Sequence, residues 1–322
     1  MKHKILLIVL MTIALPLTAN AVEGKFSGLM FGDYYYMISR NDNKDEGQNG
    51  FWLRRAYLKY DATMSDAIAT RLNLEMNSAH YLTAAENLLP KVKDAYLQWK
   101  TSDTHKILIG IQGTPTFDQA EKYGYREVEK SPLDFWGFGK SRDFGVGVKG
   151  KVSDEFSYHF LAGDNSDNKN ETDKKKKAYL ALDYNFTKEA LFELYLDYAS
   201  KGAYVIQGLV GYKTSELKLS GLFAYSVPSS AKKYKLLSGQ AGYAFNESFE
   251  GLARVDLMLD TPPASEGYWK NSTASKATMI IAGVSYAVTK EFHIIPNMES
   301  ILYSDAAVEK DIAGKMTFYW TF

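Results

Sequence analysis

The chain has 322 residues, 38 Lys and Arg against 38 Asp and Glu, no cysteine, 23 tyrosines and 17 phenylalanines. Balanced charge with no basic tract dominating the chain gives no sign of nucleic-acid binding, and the absence of cysteine removes both a disulfide framework and a lipid-attachment thiol. Mean hydropathy is −0.28, and beyond the N-terminus no uninterrupted apolar stretch is long enough for a spanning helix, which excludes a helical membrane protein.

In chain order, Lys2, His3 and Lys4 precede an apolar run over 5–17 and then Ala19-Asn20-Ala21, a small-x-small cleavage site. Residues 1–21 are therefore expected to be a secretory signal peptide, with 22–322 as one mature domain. That domain reads as strands of about 9–13 residues, apolar at alternate positions. Seven short polar connections, at 63–66, 101–104, 153–155, 187–189, 214–216, 246–248 and 289–291, are built from Ser, Thr, Asn, Asp and Glu, which close tight turns. Eight others, mostly longer, alternate with them at 40–50, 78–90, 114–141, 163–177, 200–202, 228–232, 261–275 and 304–310. Fifteen connections imply sixteen strands with both ends of the chain on the short-turn side.

The alternation has one consistent sense. Ile68, Thr70, Leu72, Leu74 and Met76 oppose Ala69, Arg71, Asn73 and Glu75, and Phe192, Leu194, Leu196 and Tyr198 oppose Glu193, Tyr195 and Asp197. The final stretch, 312–322, sets Ile312, Gly314, Met316, Phe318 and Trp320 against Lys315, Thr317, Tyr319 and Thr321. An aromatic strand at the end of a soluble domain would recruit other chains, whereas in a closed barrel the bilayer takes its apolar face. The expected fold is an all-β transmembrane antiparallel barrel of about sixteen strands. A strand number in this range leaves an aqueous channel. A β-sandwich also alternates, but its connections do not sort into two length classes. The terminal Phe322 after alternating apolar residues resembles the closing strand of bacterial outer-membrane barrels, which implies recognition by the barrel-assembly machinery.

Four blocks, FWLRRAYLKYDA (51–62), KDAYLQWK (93–100), ILIGIQGTPTF (107–117) and SRDFGVGVKG (141–150), resemble the phosphate-selective porin O and P family of outer-membrane channels. Arg54-Arg55-Ala56 and Asp94-Ala95-Tyr96 are the most specific, and together the blocks cover about residues 25–150. The resemblance implies a sixteen-stranded, usually homotrimeric barrel in the outer membrane of a Gram-negative-type bacterium. It also implies lipid and lipopolysaccharide around the barrel, small hydrophilic solutes or anions as its traffic, and a third external loop folded into the lumen. Residues 114–141 occupy that loop position, and Tyr123, Tyr125, Phe135, Trp136 and Phe138 give it reason to pack, either inside the barrel or on neighbouring loops.

On the alternation phase Arg55, Lys59, Arg71, Lys106, Lys149, Lys151 and Arg254 point inward, with Arg126 and Arg142 on or beside the loop. Such groups attract anions, strongly in a narrow passage of low dielectric. Asp33, Asp61, Glu75, Asp94, Asp183, Glu193, Asp197, Asp256 and Glu299 share the inward face, which departs from the strongly basic wall that the resemblance implies. Two arrangements fit: a transverse field with early bases facing later acids, or neutralisation between neighbouring strands, such as Arg71 with Glu75 or Asp94. The run 174–177 is a basic cluster that suits either lipopolysaccharide phosphates or a solvated loop. The acidic 164–173 stretch lacks the glycine and terminal glutamate of a helix-loop-helix calcium site, so no metal or cofactor is assigned. Of the histidines, His159 and His293 face inward and none sits in a recognisable catalytic motif. The reading is a passive pore for small hydrophilic solutes with an anion preference; the alternatives are a barrel enzyme resembling outer-membrane phospholipases or proteases, or a plugged structural barrel.

Overall fold

The computed structural model describes residues 22–42, 44–77, 89–228, 232–266 and 270–322. The expected signal peptide, most of the connection 78–90 and the middle of 228–232 lie outside the described residues. Among the described residues sixteen strands follow one another. The first eight are β1 (Glu23–Ser39), β2 (Asn49–Thr63), β3 (Ile68–Asn77), β4 (Pro90–Lys100), β5 (His105–Gly113), β6 (Arg142–Lys151), β7 (Phe156–Gly163) and β8 (Lys177–Asn185). The second eight are β9 (Ala190–Ala199), β10 (Ala203–Lys213), β11 (Leu217–Val227), β12 (Tyr234–Ala244), β13 (Phe249–Met258), β14 (Ala277–Ala287), β15 (Phe292–Tyr303) and β16 (Asp311–Thr321). Each pairs antiparallel with its sequence neighbours, and β1 closes on β16. The seam is completed by the last residue: Phe322 N–H donates to the Gly28 carbonyl at 3.0 Å, and Gly28 N–H donates to the Phe322 carbonyl at 2.8 Å. Closure leaves no strand edge unpaired, the condition for crossing hydrocarbon with strands.

The short turns form as their residues dictate. Thr187 Oγ1 accepts from the Glu189 and Ala190 amides at 3.1 Å each, Thr289 Oγ1 from Glu291 and Phe292 at 3.2 and 3.1 Å, and Asn246 Oδ1 from Ser248 and Phe249 at 2.9 and 3.0 Å. One side chain thus satisfies two amides that the hairpin leaves open.

Burial is inverted relative to a soluble protein. On β9, Glu193, Tyr195 and Asp197 are 1% exposed or less, while Leu194, Leu196 and Tyr198 are 40–58% exposed. The same holds around the barrel, from Leu72 and Ile109 to Val255 and Met316, giving a continuous apolar exterior of the kind that lipid covers.

Strict alternation fails where the inward face has most to do. In β2 the register against β1 slips between Phe31 and Gly32, so that Arg54 and Arg55 both point into the barrel. Gly32 fits this β-bulge because a Cβ there would meet the Trp52 carbonyl at 2.4 Å. In β4 a second bulge turns both Lys93 and Asp94 inward.

Residues 114–141 enter the lumen as a 3-10 turn (Pro115–Phe117), helix α1 (Asp118–Tyr123) and helix α2 (Pro132–Phe135). Phe117, Tyr123, Val128, Leu133, Phe135, Trp136 and Phe138 pack on inward residues of the later strands, among them Leu161, Tyr195, Leu209, Leu222, Leu236, Met279 and Ile281. The wall of β7–β15 is therefore dry where the loop lies, and water-facing polarity is concentrated on β2–β6. Burying Phe135 and Trp136 completely stabilises this seat by about 1.5–3 kcal/mol per aromatic side chain.

The exterior face predicts a depth-dependent penalty. Val255→Lys, near the middle of β13, is expected to cost about 2–4 kcal/mol in reversible denaturant unfolding from lipid vesicles. A neutral result would contradict the assignment of that face to lipid.

Candidate pore constriction

Two cavities inside the barrel share part of their lining. One, of about 560 Å³, opens among the long connections and is lined by Lys91, Lys140, Asp167, Lys169 and Glu266. The other, of about 530 Å³, reaches Ser27, Gly28, Thr321 and Phe322 at the short-turn end. Arg55, Lys93, Arg126, Ser141 and Arg142 line both and so mark the waist between them.

The waist is built by the two bulges and the loop. Arg55 Nη1 lies 2.5 Å from Glu75 Oε1 and 2.7 Å from the Tyr57 hydroxyl. Lys93 and Lys91 approach the same Glu75 at 3.0 and 3.6 Å. On the next strands Arg142 Nε contacts Asp94 Oδ1 at 2.5 Å, and Asn73 donates to Asp94 at 2.8 Å. From the loop, Arg126 stands between Glu121 at 3.5 Å and Asp134 at 3.3 Å. Two wall carboxylates thus serve four wall cations, and the surplus is positive.

The loop acids differ in strength. Burial pushes the Asp134 carboxyl up, but Arg126, Lys130, Arg55 and Lys93 together outweigh it and hold Asp134 below the ordinary carboxylate range. For Glu121 burial wins over Arg126, and for Glu127 it wins over Lys218 and His293, so both carboxyls are raised. The Glu121 side chain is 40% exposed and lines the cavity of about 530 Å³.

The predicted site residues divide into three groups. Arg55, Asp94, Arg126 and Arg142 come together at the waist. Lys59 lines the cavity below it, and Lys106, Lys149 and Lys151 line a separate space of about 470 Å³ toward the short turns, together with His159 and Asp118. Lys106 stands directly opposite both Lys100 and Lys149, and Lys149 opposite His159, which sets a row of bases across β4–β7. Arg71 makes a bidentate contact with Asp61 at 2.6 and 3.0 Å, rather than pairing with Glu75 or Asp94, because the register sets Asp61 directly across from it.

Glu193, Asp197, Arg254 and Asp256 form the third group and sit beneath the loop, not on the waist. Glu193 accepts from Gln207 at 2.8 Å, Asp197 pairs with Lys177 at 2.8 Å, and Asp256 holds Arg254 at 2.5 Å while accepting from the Trp136 indole at 2.9 Å. The transverse field therefore does not form as expected from Asp197 and Asp256, whose charges pair with Lys177 and Arg254 beneath the loop, nor from Glu193, held there by the Gln207 amide; Asp183 does line the space of Lys106, Lys149 and Lys151. In the run 174–177, Lys175 pairs with Asp173, Lys176 with Glu171 and Asp164, and Lys177 reaches down to Asp197. Ser285 Oγ and His293 Nδ1 lie 3.1 Å apart, a hydrogen-bonded pair on the barrel wall.

Arg54 and Lys93 escape a period-two reading because the bulges flip the phase at those positions. The signal was present: the exposed residues Leu53 and Leu58, and likewise Val92 and Leu97, are five apart, an odd spacing that uninterrupted alternation forbids.

No family model matches the chain, and no curated protein sequence matches it. Among solved structures, the chain is similar to OmpF of Salmonella typhi in complex with daunomycin, with TM-score 0.67 and 13% identity over 94% of this chain and 98% of that one. It is also similar to the outer-membrane channel DcaP of Acinetobacter baumannii, with TM-score 0.66 and 12% identity over 94% and 97%. A third is the anion-selective porin from Comamonas acidovorans, with TM-score 0.65 and 13% identity over 94% and 100%.

Glu75 is 1% exposed and holds three cations, so Glu75→Gln is expected to destabilise the barrel, toward the low end of about 3–5 kcal/mol because the adjoining cavity admits water. Denaturant unfolding of the folded barrel measures this, and an unchanged midpoint would show that the cluster contributes nothing. The chain has the fold of the outer-membrane porins, a closed sixteen-stranded barrel with its third long loop folded into the lumen.

Proposed function

We propose that this chain is a passive outer-membrane porin through which small hydrophilic solutes diffuse, with a preference for anions. The observation that carries the proposal is the waist, where Arg55, Lys93, Arg126 and Arg142 border both cavities. The lining of the outer cavity is biased the same way, with nine Lys or Arg against four Asp or Glu. A solute reaching the waist sheds part of its hydration in a low-dielectric passage, where fixed positive charge favours anions and disfavours cations. The interleaved Glu75, Asp94 and Asp134 keep the bases oriented and limit how tightly an anion is held, so that it leaves again.

The resemblance to the phosphate-selective family supports phosphate among the solutes. The acids on the same wall support a broader range of small anions. The solved barrel described as anion-selective agrees with the sign of the charge. In this reading the apolar exterior lies in outer-membrane lipid, lipopolysaccharide surrounds the long connections, the barrel assembles as a homotrimer, and the chain carries out no catalysis.

Planar-bilayer recording of the purified chain tests the proposal. Stepwise conductance is expected, and a silent bilayer would favour the enzyme or plugged-barrel alternatives. Arg55→Ala and Arg126→Ala are each expected to lower anion over cation permeability severalfold, read from reversal potentials in a salt gradient. Unchanged potentials in both variants would remove these residues from the filter.

A pH dependence follows from Glu121. Its carboxyl is raised, so acidification neutralises it before ordinary carboxylates, among neighbours Arg126, Asp134, Arg142 and Asp118. Anion preference is expected to rise as pH falls toward the carboxylate range. Glu121→Gln should show the higher preference already at neutral pH and respond less to acid, and a variant with the full wild-type pH response would refute this role.

A further inference from the structure

Three basic side chains on three different strands converge on one short piece of the loop. Arg54 of β2 is fully buried; it donates to the Val128 carbonyl at 3.0 Å and to the Glu127 carbonyl. Lys315 of β16, 5% exposed, donates to the same Val128 carbonyl at 3.0 Å. Arg254 of β13, 6% exposed, donates to the Lys130 carbonyl. Each is also fixed to a carboxylate on the wall: Arg54 to Asp33 at 2.9 Å, Arg254 to Asp256 at 2.9 Å, and Lys315 to Glu299. Asp33 is held in turn by the Thr317 hydroxyl at 2.5 Å.

Residues 124–131 belong to neither helix; the Tyr125 and Ser131 carbonyls accept from loop amides, those of Val128, Glu129 and Phe135, whereas the Glu127, Val128 and Lys130 carbonyls take their donors from the wall. The wall supplies those donors as charged groups, which make stronger hydrogen bonds than neutral ones. Because the contacts are to backbone oxygen, they hold this segment regardless of its side chains. Val128, 1% exposed, is drawn against the wall, and Arg126, two residues earlier, lines the waist.

We infer that Arg54, Arg254 and Lys315 are the positioning residues of the filter: by clamping the Glu127, Val128 and Lys130 carbonyls to the wall, they set the width of the waist and the place of Arg126. The inference rests on the porin reading for its consequence in permeation, while the clamp itself is testable without conductance. Losing the clamp lets the segment leave the wall, which widens the passage and disperses the charge of Arg126.

The test uses the natural absence of cysteine. Val128→Cys is introduced into the full chain, refolded in vesicles, and probed with a membrane-impermeant maleimide. Labelling is expected to be slow with the clamp intact and severalfold faster when Arg54→Met or Lys315→Met is added. In liposome swelling, the same two substitutions should raise the size limit for uncharged sugars, whereas Arg126→Ala alone should change ion preference and leave that limit in place. Lys315→Arg, which keeps a buried donor, should retain slow labelling. Heat-dependent gel mobility certifies that each barrel is folded, and if Arg54→Met does not fold, Lys315→Met and Arg254→Gln decide. Unchanged labelling and an unchanged sugar limit in the folded clamp variants would overturn the inference. A wild-type chain that never conducts would defeat the porin reading, and the labelling result would still judge the clamp.

Discussion

The structure depends on how residues 114–141 are seated. Trp136 and Phe135 are wholly buried against the inward face of the later strands, with the indole N–H satisfied by Asp256 at 2.9 Å. An aromatic surface of this size cannot lie in a water-filled lumen without a partner, and the aliphatic inward residues of β7–β15 supply it. Everything that makes the lumen asymmetric follows. On the side under the loop Asp197 and Asp256 pair with Lys177 and Arg254, whereas on the opposite side Arg55, Lys93 and Arg142 line open cavities.

That division explains a barrel of nearly balanced composition with a locally basic passage. The acids of the second half are present in number but sit under the loop: Glu193, Asp197, Asp256 and Glu299 are each 1% exposed or less. In the first half, the bulges in β2 and β4 turn adjacent residues inward where alternation would have sent one of each pair into lipid: Arg55 and Lys93 border the waist, while Arg54 is buried against the loop. Net charge of the chain is therefore a poor guide to the field in the pore. The field is set by which charges the loop covers.

Much of this was legible in the sequence. The strand count, the alternation of short and long connections and the lipid-facing set follow from period-two patterning and from the Thr, Ser and Asn turn signals, and the structure places them within a few residues; the inward fold of 114–141 was implied by the family resemblance, with its aromatic patch giving it reason to pack. Arg55 was legible as an inward base for the same reason, and Arg126 and Arg142 as bases on or beside the loop. What patterning did not reveal was register and burial by a remote segment. Pairing of Arg71 with Asp61 depends on which residues of β2 and β3 stand opposite each other, and a strand read alone cannot say. The placement of Glu193, Asp197, Arg254 and Asp256 beneath the loop depends on packing across the barrel. Arg54 was hidden by a phase slip whose trace, the odd spacing of Leu53 and Leu58, becomes readable once the bulge is known.

The central claim is that the uncovered half of the lumen gives the passage a positive sign. It is tested most directly by the zero-current potential of the wild-type chain in a planar bilayer separating two concentrations of potassium chloride. The predicted sign is that of chloride crossing more readily than potassium, with the preference weakening as ionic strength screens the fixed charge. A potential of the opposite sign, or one that shows no preference at low salt, would contradict it.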